Sequence, residues 1–409
     1  MKIIYIVHQF YPMHYTGTEK VILNMSMMMQ KLGNQVKVIT YSFYDDSFYD
    51  KSIGNILLKE FSYKGIPILA LKHKKIPDDI NVNLENDELS IIAEEIIRQE
   101  NPDIIHVGHL MRTYELIRAA KMLKIPYIIT LTDFWLICPK IILVNSIGNL
   151  CGGPEGGNVC ENDCSELGKK FNMHRLKIAE EILINSKAVI APSKFLASIF
   201  MDEFLNMDIK VINHGLKHNK LNKNNKVYKK EDKIIFCYAG SLNYHKGVHI
   251  VIEAFKKIKG NNAALKIYGS GDSEYTDKLK NAACDNRIEF CGVYSEDQVA
   301  EIFSNTDVIV VSSLWYETYS LILHEALASN IPVIASNVGV MKEKIVDNFN
   351  GLTFRIGDAE HLEELFQNLV CNPEIINSWK DNIKNIYIPS IEQEAYEYKK
   401  LYNQNFLGN

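Results

Sequence analysis

Two glutamates, Glu317 and Glu325, stand eight residues apart in a segment that begins with the β-rich apolar run 307–311 and ends in a stretch of helical character. They sit where a buried strand gives way to a loop and then a helix. Eight residues of ideal helix turn roughly 80° past two full revolutions, so the two carboxylates cannot share a face if both are helical. Glu317 is therefore assigned to the loop. With the helix starting near Tyr319 or Ser320, Glu325 falls in its second turn and its side chain leans back toward the N-terminus. The free backbone N–H groups of Tyr319, Ser320 and Leu321 then lie between the carboxylates and, backed by the helix dipole, form an anion site. The chemistry this predicts is a phosphate held between two hydroxyl-binding carboxylates. A single helix glutamate is usually a solvated residue. Glu325, however, interrupts the apolar set Leu321, Ile322, Leu323, Ala326 and Leu327, where an unpartnered carboxylate is costly.

A second set lies after the run 234–238, where Gly240 and Ser241 lead to Lys246 and Gly247. Gly240 permits a close turn, and an ammonium beside a helix start suits a diphosphate leaving group. Gly269 and Gly271 follow another strand and would let backbone approach a flat base or ribose. The third glycine of a dinucleotide fingerprint is missing, with Tyr275 and Thr276 in its region. No phosphate loop of the Gly-x-x-x-x-Gly-Lys-Ser/Thr kind occurs either. In the first half, residues 8–17 join a strand to a helix, with Gly17 placed for close backbone approach. Asp133 stands at another strand end, and His106 and His109 at a third; these are candidates for acceptor binding, beside the plainer reading of turn and cap residues. Cys138, Cys151, Cys160 and Cys164 crowd one Gly-rich loop. Four thiolates there suggest a tetrahedral structural site with zinc the default metal, the alternative being free or regulatory thiols. Cys237, Cys284, Cys291 and Cys371 read as small apolar fillers.

These residues need a scaffold of strands that deliver loops to one edge. The chain has 409 residues, 47% of them apolar, which fits two domains of ordinary size. Its first half alternates short β-rich runs (2–7, 35–40, 103–107, 127–131, 188–191) with helical stretches such as 18–32. The second half repeats the pattern at 234–238, 265–268, 288–290, 307–311 and 332–335. Such alternation predicts parallel sheets covered on both faces, an α/β class built from two doubly wound, Rossmann-like domains facing an interdomain cleft. The expected division is 1–205 for the first domain, 206–232 for a solvated Lys- and Asn-rich linker, 233–385 for the second domain, and 386–409 for a helix that folds back to the first.

A net charge of −5 and the lack of a basic block argue against nucleic acid as a partner. No apolar stretch approaches the roughly 20 residues needed to cross a bilayer, and the N-terminus reads as a strand rather than a signal peptide, so a cytoplasmic protein is expected. Residues 64–75, apolar between lysines, are a candidate for peripheral contact with the inner face of the membrane.

The segment from Glu317 to Glu325 resembles the Glu-seven-residues-Glu motif of the retaining GT-B glycosyltransferases of family 4. The opening strand through Gly17, Thr132 to Pro139, Ala191-Pro192-Ser193, Asn213-His214-Gly215, Gly240 to Gly247, Gly292 and Pro332 to Gly339 fall in that family's order, across nearly the whole chain. The resemblance implies a hexosyltransferase of polysaccharide assembly that moves sugar from a UDP or GDP donor to a glycan, lipid-linked or small-molecule acceptor. It implies that Glu325 holds the ribose hydroxyls, Glu317 the donor sugar, and Lys246 with the backbone at Tyr319 to Leu321 the diphosphate. Retention would come from front-face attack, with no catalytic divalent metal, so that any metal on the cysteines is structural. Two departures stand out. Ser241 occupies a place where relatives often carry Arg, and Thr132 replaces a histidine, leaving Asp133, His106 or His109 to serve near the donor sugar. A nucleotide-sugar epimerase or hydrolase on the same scaffold, or a non-catalytic nucleotide-sugar-binding module, are the alternatives. Nothing in the sequence sets an oligomeric state.

Overall fold

The computed structural model of the protein describes residues 1–164 and 168–406. They form two compact units, Met1–Gly215 with the C-terminal helix Ile391–Phe406, and Leu216–Ser390.

The first unit carries β1 (Lys2–Val7), β2 (Gln35–Tyr41), β3 (Lys51–Ile53), β4 (Ile56–Tyr63), β5 (Ile66–His73), β6 (Ile104–Val107), β7 (Tyr127–Thr130), β8 (Val189–Ala191) and β9 (Ile209–Val211). Among the described residues they make one sheet in the order β3-β4-β5-β2-β1-β6-β7-β8-β9. All pairings from β5 to β9 are parallel. β1 and β6 are buried almost throughout, as strands covered by helices on both faces must be. The helix Gly17–Lys31 covers one face through Ile22, Leu23, Met25 and Met29, an apolar stripe at helical spacing.

The antiparallel excursion β3 to β5 is absent from the strands read in the sequence. β4 and β5 pair in register from Ile56 with His73 to Tyr63 with Ile66. The two turn residues, Lys64 (φ 47°) and Gly65 (φ 79°), both have the positive φ of a tight hairpin. This corrects the membrane reading of residues 64–75: Ile66, Ile68, Leu69, Ala70 and Leu71 are 0–5% exposed and belong to the core. No helix among the described residues is long and apolar enough to cross a membrane.

The helix Ile391–Phe406 packs into the first unit's core with Ala395, Tyr398, Leu401 and Tyr402. Tyr402 Oη lies 3.1 Å from Tyr5 Oη and 2.6 Å from His106 Nδ1, and Tyr398 Oη lies 2.8 Å from Thr130 Oγ1. Glu394, buried in the same helix, accepts from Gly215 N at 2.8 Å and faces His214 Nδ1 at 2.9 Å.

The second unit holds β10 (Ile234–Ala239), β11 (Ala263–Tyr268), β12 (Ile288–Gly292), β13 (Val308–Val311), β14 (Val333–Ser336) and β15 (Gly351–Phe354). Its sheet runs β12-β11-β10-β13-β14-β15, all parallel. The strand order reverses between β10 and β13, the position where doubly wound sheets open a crevice for ligands. The stretch 206–232, read as a solvated linker, is divided between the units: 206–215 belong to the first and 216–232 begin the second. Asn224 is 6% exposed, receives Lys380 Nζ at 3.0 Å and donates to Thr306 O at 2.7 Å. Asp307 accepts from Tyr228 Oη at 2.7 Å, from Lys226 Nζ at 3.0 Å and from Ile235 N at 2.8 Å. The Lys- and Asn-rich composition hid this because its few anchoring side chains are themselves polar.

Candidate functional site

β10 and β13 deliver two loops to the switch point of the second unit. After β10 the chain makes a short 3-10 turn, Tyr244–Lys246, and enters the helix Val248–Lys257 through Gly247. After β13 it passes Ser313, Trp315 and Glu317 before the helix Leu321–Ala328. Lys246 Nζ donates to Glu317 Oε1 at 2.6 Å, Ser313 Oγ donates to the same oxygen at 2.7 Å and Trp315 Nε1 at 3.0 Å. Lys246 also lies over the Trp315 ring, 4.9 Å from its centroid. Burial pushes the Glu317 carboxyl up, but the Lys246 charge and these three hydrogen bonds outweigh it and hold the group below its usual value. A carboxylate with three donors on one oxygen is a fixed, charged acceptor.

The helix begins at Leu321, and Glu325 lies in its second turn, half-buried. Ser320 caps the helix in a left-handed conformation (φ 59°). The ring of His324 lies flat on Tyr319 at 3.9 Å, and its Nδ1 donates to Ser320 O at 3.0 Å. Burial first, and then the Glu325 charge, raise the neighbouring Tyr294 phenol. Ser313, Trp315 and His324 were missed in the sequence. Donors two and four residues before a loop carboxylate are the signal that could have shown the first two.

Gly247 and Gly269 stand where backbone runs against backbone. Gly247 has φ +69°, and a Cβ there would stand 2.0 Å from Ser312 O. Gly269 has φ +139°, and its Cβ would stand 1.8 Å from Gly240 O. The loops after β10 and β11 therefore run against each other, with Gly240 N donating to Tyr268 O at 3.0 Å and Leu242 N to Ser270 O at 2.8 Å. The close approach that Gly269 permits within the protein is to the neighbouring loop. Gly269→Ala should lower the unit's stability by about 2–4 kcal/mol through backbone clash and strain, read as a drop in melting temperature. An unchanged melt would sink this account.

In the first unit, His109 and Asp133 meet. Met111 N donates to His109 Nδ1 at 3.1 Å, so the ring proton sits on Nε2 and is given to Asp133 Oδ2 at 2.7 Å. Asp133 Oδ1 accepts from Trp135 N at 2.8 Å. His106 is a correction. It is 1% exposed, and its two nitrogens face Tyr402 Oη and Thr130 Oγ1. Burial, then the His214 charge, bring its pKa down to about 3. It is a packing residue and not an acceptor ligand. Its place inside β6 rather than beyond the strand end is the reason. Gly17 opens the helix Gly17–Lys31 and is exposed.

The four clustered cysteines do converge: beyond burial, which comes first in each case, Cys164 raises the thiols of Cys138, Cys151 and Cys160, Cys151 raises those of Cys138 and Cys160, and Cys138 raises that of Cys160. All four are free, and among the described residues no group of three or more His, Cys, Asp or Glu is placed to hold a metal ion. The zinc expectation from loop composition is not upheld, because proximity in the chain did not become coordination geometry. Lys140 Nζ lies 3.9 Å from Cys164 Sγ.

Comparison with known proteins fits this arrangement. Residues 15–220 match the family described as Glycosyltransferase Family 4, and residues 219–386 match Glycosyl transferases group 1. The chain belongs to the family 4, group 1 glycosyltransferases. An uncharacterized glycosyltransferase of Methanocaldococcus jannaschii is 26% identical over 377 residues, covering 89% of this chain and 88% of that protein. Sucrose-phosphate synthase from Thermosynechococcus elongatus aligns with a TM-score of 0.72 at 18% identity over 100% of both chains. HepE of Anabaena in complex with UDP and glucose aligns with a TM-score of 0.71 at 15% identity, covering 99% of this chain and 100% of that one. These neighbours share the fold of two parallel-sheet domains. As a group 1 glycosyltransferase, the protein transfers a sugar from a nucleotide-sugar donor.

Proposed function

We propose that this glycosyltransferase moves a hexosyl group from a UDP- or GDP-linked sugar to a hydroxyl of a glycan or lipid-linked acceptor, with retention of anomeric configuration. The observation that carries the reading is the group of Lys246, Glu317 and Glu325 around one helix start at the switch point of the second unit. Lys246 and the backbone N–H groups of Tyr319, Ser320 and Leu321 take the diphosphate, where charge develops as the glycosidic bond breaks. Glu317 presents Oε2 to the sugar, since its three donors all arrive at Oε1. Glu325 takes the ribose hydroxyls. The departing phosphate accepts the proton of the attacking hydroxyl, and Lys246 with the backbone N–H groups carries the diphosphate charge that a divalent ion would otherwise neutralise. Asp133, oriented by His109, serves the acceptor side. Gly240 and Ser241 complete the donor loop after β10, with no second cation at Ser241. The protein acts in the cytoplasm, in polysaccharide assembly.

A thermal-shift screen of UDP, GDP and ADP with their sugars tests this. HepE holds UDP and glucose, which makes UDP-glucose the first donor to try. A native-state ligand at 100 times its Kd adds about 2.7 kcal/mol of apparent stability, a rise of roughly 5–10 °C for a unit of this size. A flat response to every nucleotide would remove the reading.

A further inference from the structure

The first unit holds a second group of polar side chains that the donor site does not use. β1 has β2 on one side and β6 on the other, so the loops leaving β1 and β6 diverge at the strand-order reversal and leave a crevice beyond their carboxyl ends. His8 leaves β1 and His109 leaves β6, and their rings stack with centroids 4.0 Å apart. Arg112 Nη1 donates to His8 O at 3.0 Å and fixes the backbone there.

Glu19, in the first turn of the helix Gly17–Lys31, is 0% exposed and points inward. Its Oε2 accepts from Thr16 Oγ1 at 2.5 Å, and its Oε1 lies 3.8 Å from His8 Nε2. Glu19 Oε1, His8 Nδ1 and His14 Nε2 are all buried with no hydrogen-bond partner among the described residues. His8 as a whole is only 9% exposed. A buried polar atom without a partner forfeits the hydrogen bonds it had in water, so three in one corner are capacity reserved for a ligand.

The charges indicate which ligand. His8 faces His109, Arg112, His14 and Glu19. Burial, then the charges of His109, Arg112 and His14, hold its pKa well below the usual imidazole value, and burial also lowers that of His14. Both rings are neutral near pH 7, each with one donor and one acceptor nitrogen. The Arg112 guanidinium is committed to His8 O and to Asn81 Oδ1 at 2.7 Å, and lies over the Phe43 ring at 4.7 Å. The uncommitted polar atoms are thus His8 Nδ1, His14 Nε2 and Glu19 Oε1, with the Asp133 carboxylate beyond His109. Hydroxyl groups, which both donate and accept, match them; an anionic group meets two carboxylates.

We propose that His8, His14 and Glu19 form a hydroxyl-reading subsite for the acceptor and that the acceptor presents an uncharged sugar there. The proposal rests on the glycosyltransferase reading.

The test uses the full chain and ligand-observed NMR with methyl α-D-glucoside, galactoside and mannoside, with glucose 6-phosphate as the anionic probe, and UDP and GDP as independent probes of the second unit. At least one glycoside should bind more tightly than glucose 6-phosphate. His8→Ala should weaken it about tenfold or more, while nucleotide affinity stays unchanged. Glu19→Gln should raise the acceptor KM with little change in kcat. If His8→Ala fails to fold, His8→Asn, which keeps a polar side chain at that place, takes its part. Wild-type glycoside affinity in a folded His8 variant, tighter binding of glucose 6-phosphate, or no glycoside binding at all overturns the proposal. So does loss of preference for a nucleotide sugar over its nucleotide, which would assign the subsite to the transferred sugar. Failure of both nucleotides to bind would instead count against the donor reading, and the glycoside arm would still decide this one.

Discussion

Replacing Lys246 with alanine is expected to lower sugar transfer roughly 10²- to 10³-fold while both units stay folded, the usual cost of deleting a donor aimed at developing negative charge. The ammonium is the one strong cation that the loop after β10 brings to the Glu317 loop, at 2.6 Å. Its removal has a second effect on Glu317. Burial alone pushes that carboxyl up, and Lys246 supplies the first of the opposing influences, ahead of Ser313 and Trp315. Without it the Glu317 pKa must rise, so the acid limb of the residual rate profile should move to higher pH. Glu317→Gln, which removes the charge and retains an acceptor for Ser313 and Trp315, should lower the rate without that displacement. Initial rates from pH 5 to 9, with circular dichroism on each variant, check both statements. A folded Lys246→Ala protein with wild-type turnover would falsify the assignment of the diphosphate to this loop.

Glu325→Ala should act on donor binding first. A carboxylate that accepts from ribose hydroxyls contributes about 1.5–3 kcal/mol, so nucleotide affinity should fall roughly 10- to 150-fold, measurable by calorimetry with UDP or GDP alone. Stability should hold, because alanine is the best helix former and position 325 is only half-buried in the helix Leu321–Ala328. An internal reporter accompanies the change. The Glu325 charge helps raise the Tyr294 phenol, so that phenol should titrate lower in the variant, although burial keeps it above the ordinary tyrosine value. Unchanged nucleotide affinity beside a shifted Tyr294 would show that Glu325 is in place but does not hold the donor.

Much of the scaffold was legible because parallel strands buried on both faces carry near-continuous apolar runs. The reading of 2–7 coincides with β1, and that of 288–290 falls inside β12 (Ile288–Gly292). β4 escaped because it is one-sided, with Glu60 and Ser62 exposed between half-buried Phe61 and Tyr63, whereas the apolar run of β5 is visible but, flanked by lysines, reads as a membrane contact. The placement of Glu325 in the second helical turn followed from helix periodicity, which is local and needs no tertiary information. Ser241 and Lys246 could be placed in one loop for the same reason.

The sequence by itself determined two repeats of strand and helix, the strand ends at which Lys246, Glu317, Asp133 and His109 stand, and the spacing that separates Glu317 from Glu325. Only the tertiary structure decided which of those ends meet. Strand order, with β10 beside β13 and β1 beside β6, brings Lys246 to Glu317 and stacks His8 on His109. It also buried His106 under Tyr402 and gathered four cysteines without coordination geometry. Periodicity is a short-range consequence of backbone geometry, whereas a contact across 71 residues, as between Lys246 and Glu317, depends on how the sheet is wound and what its helices cover.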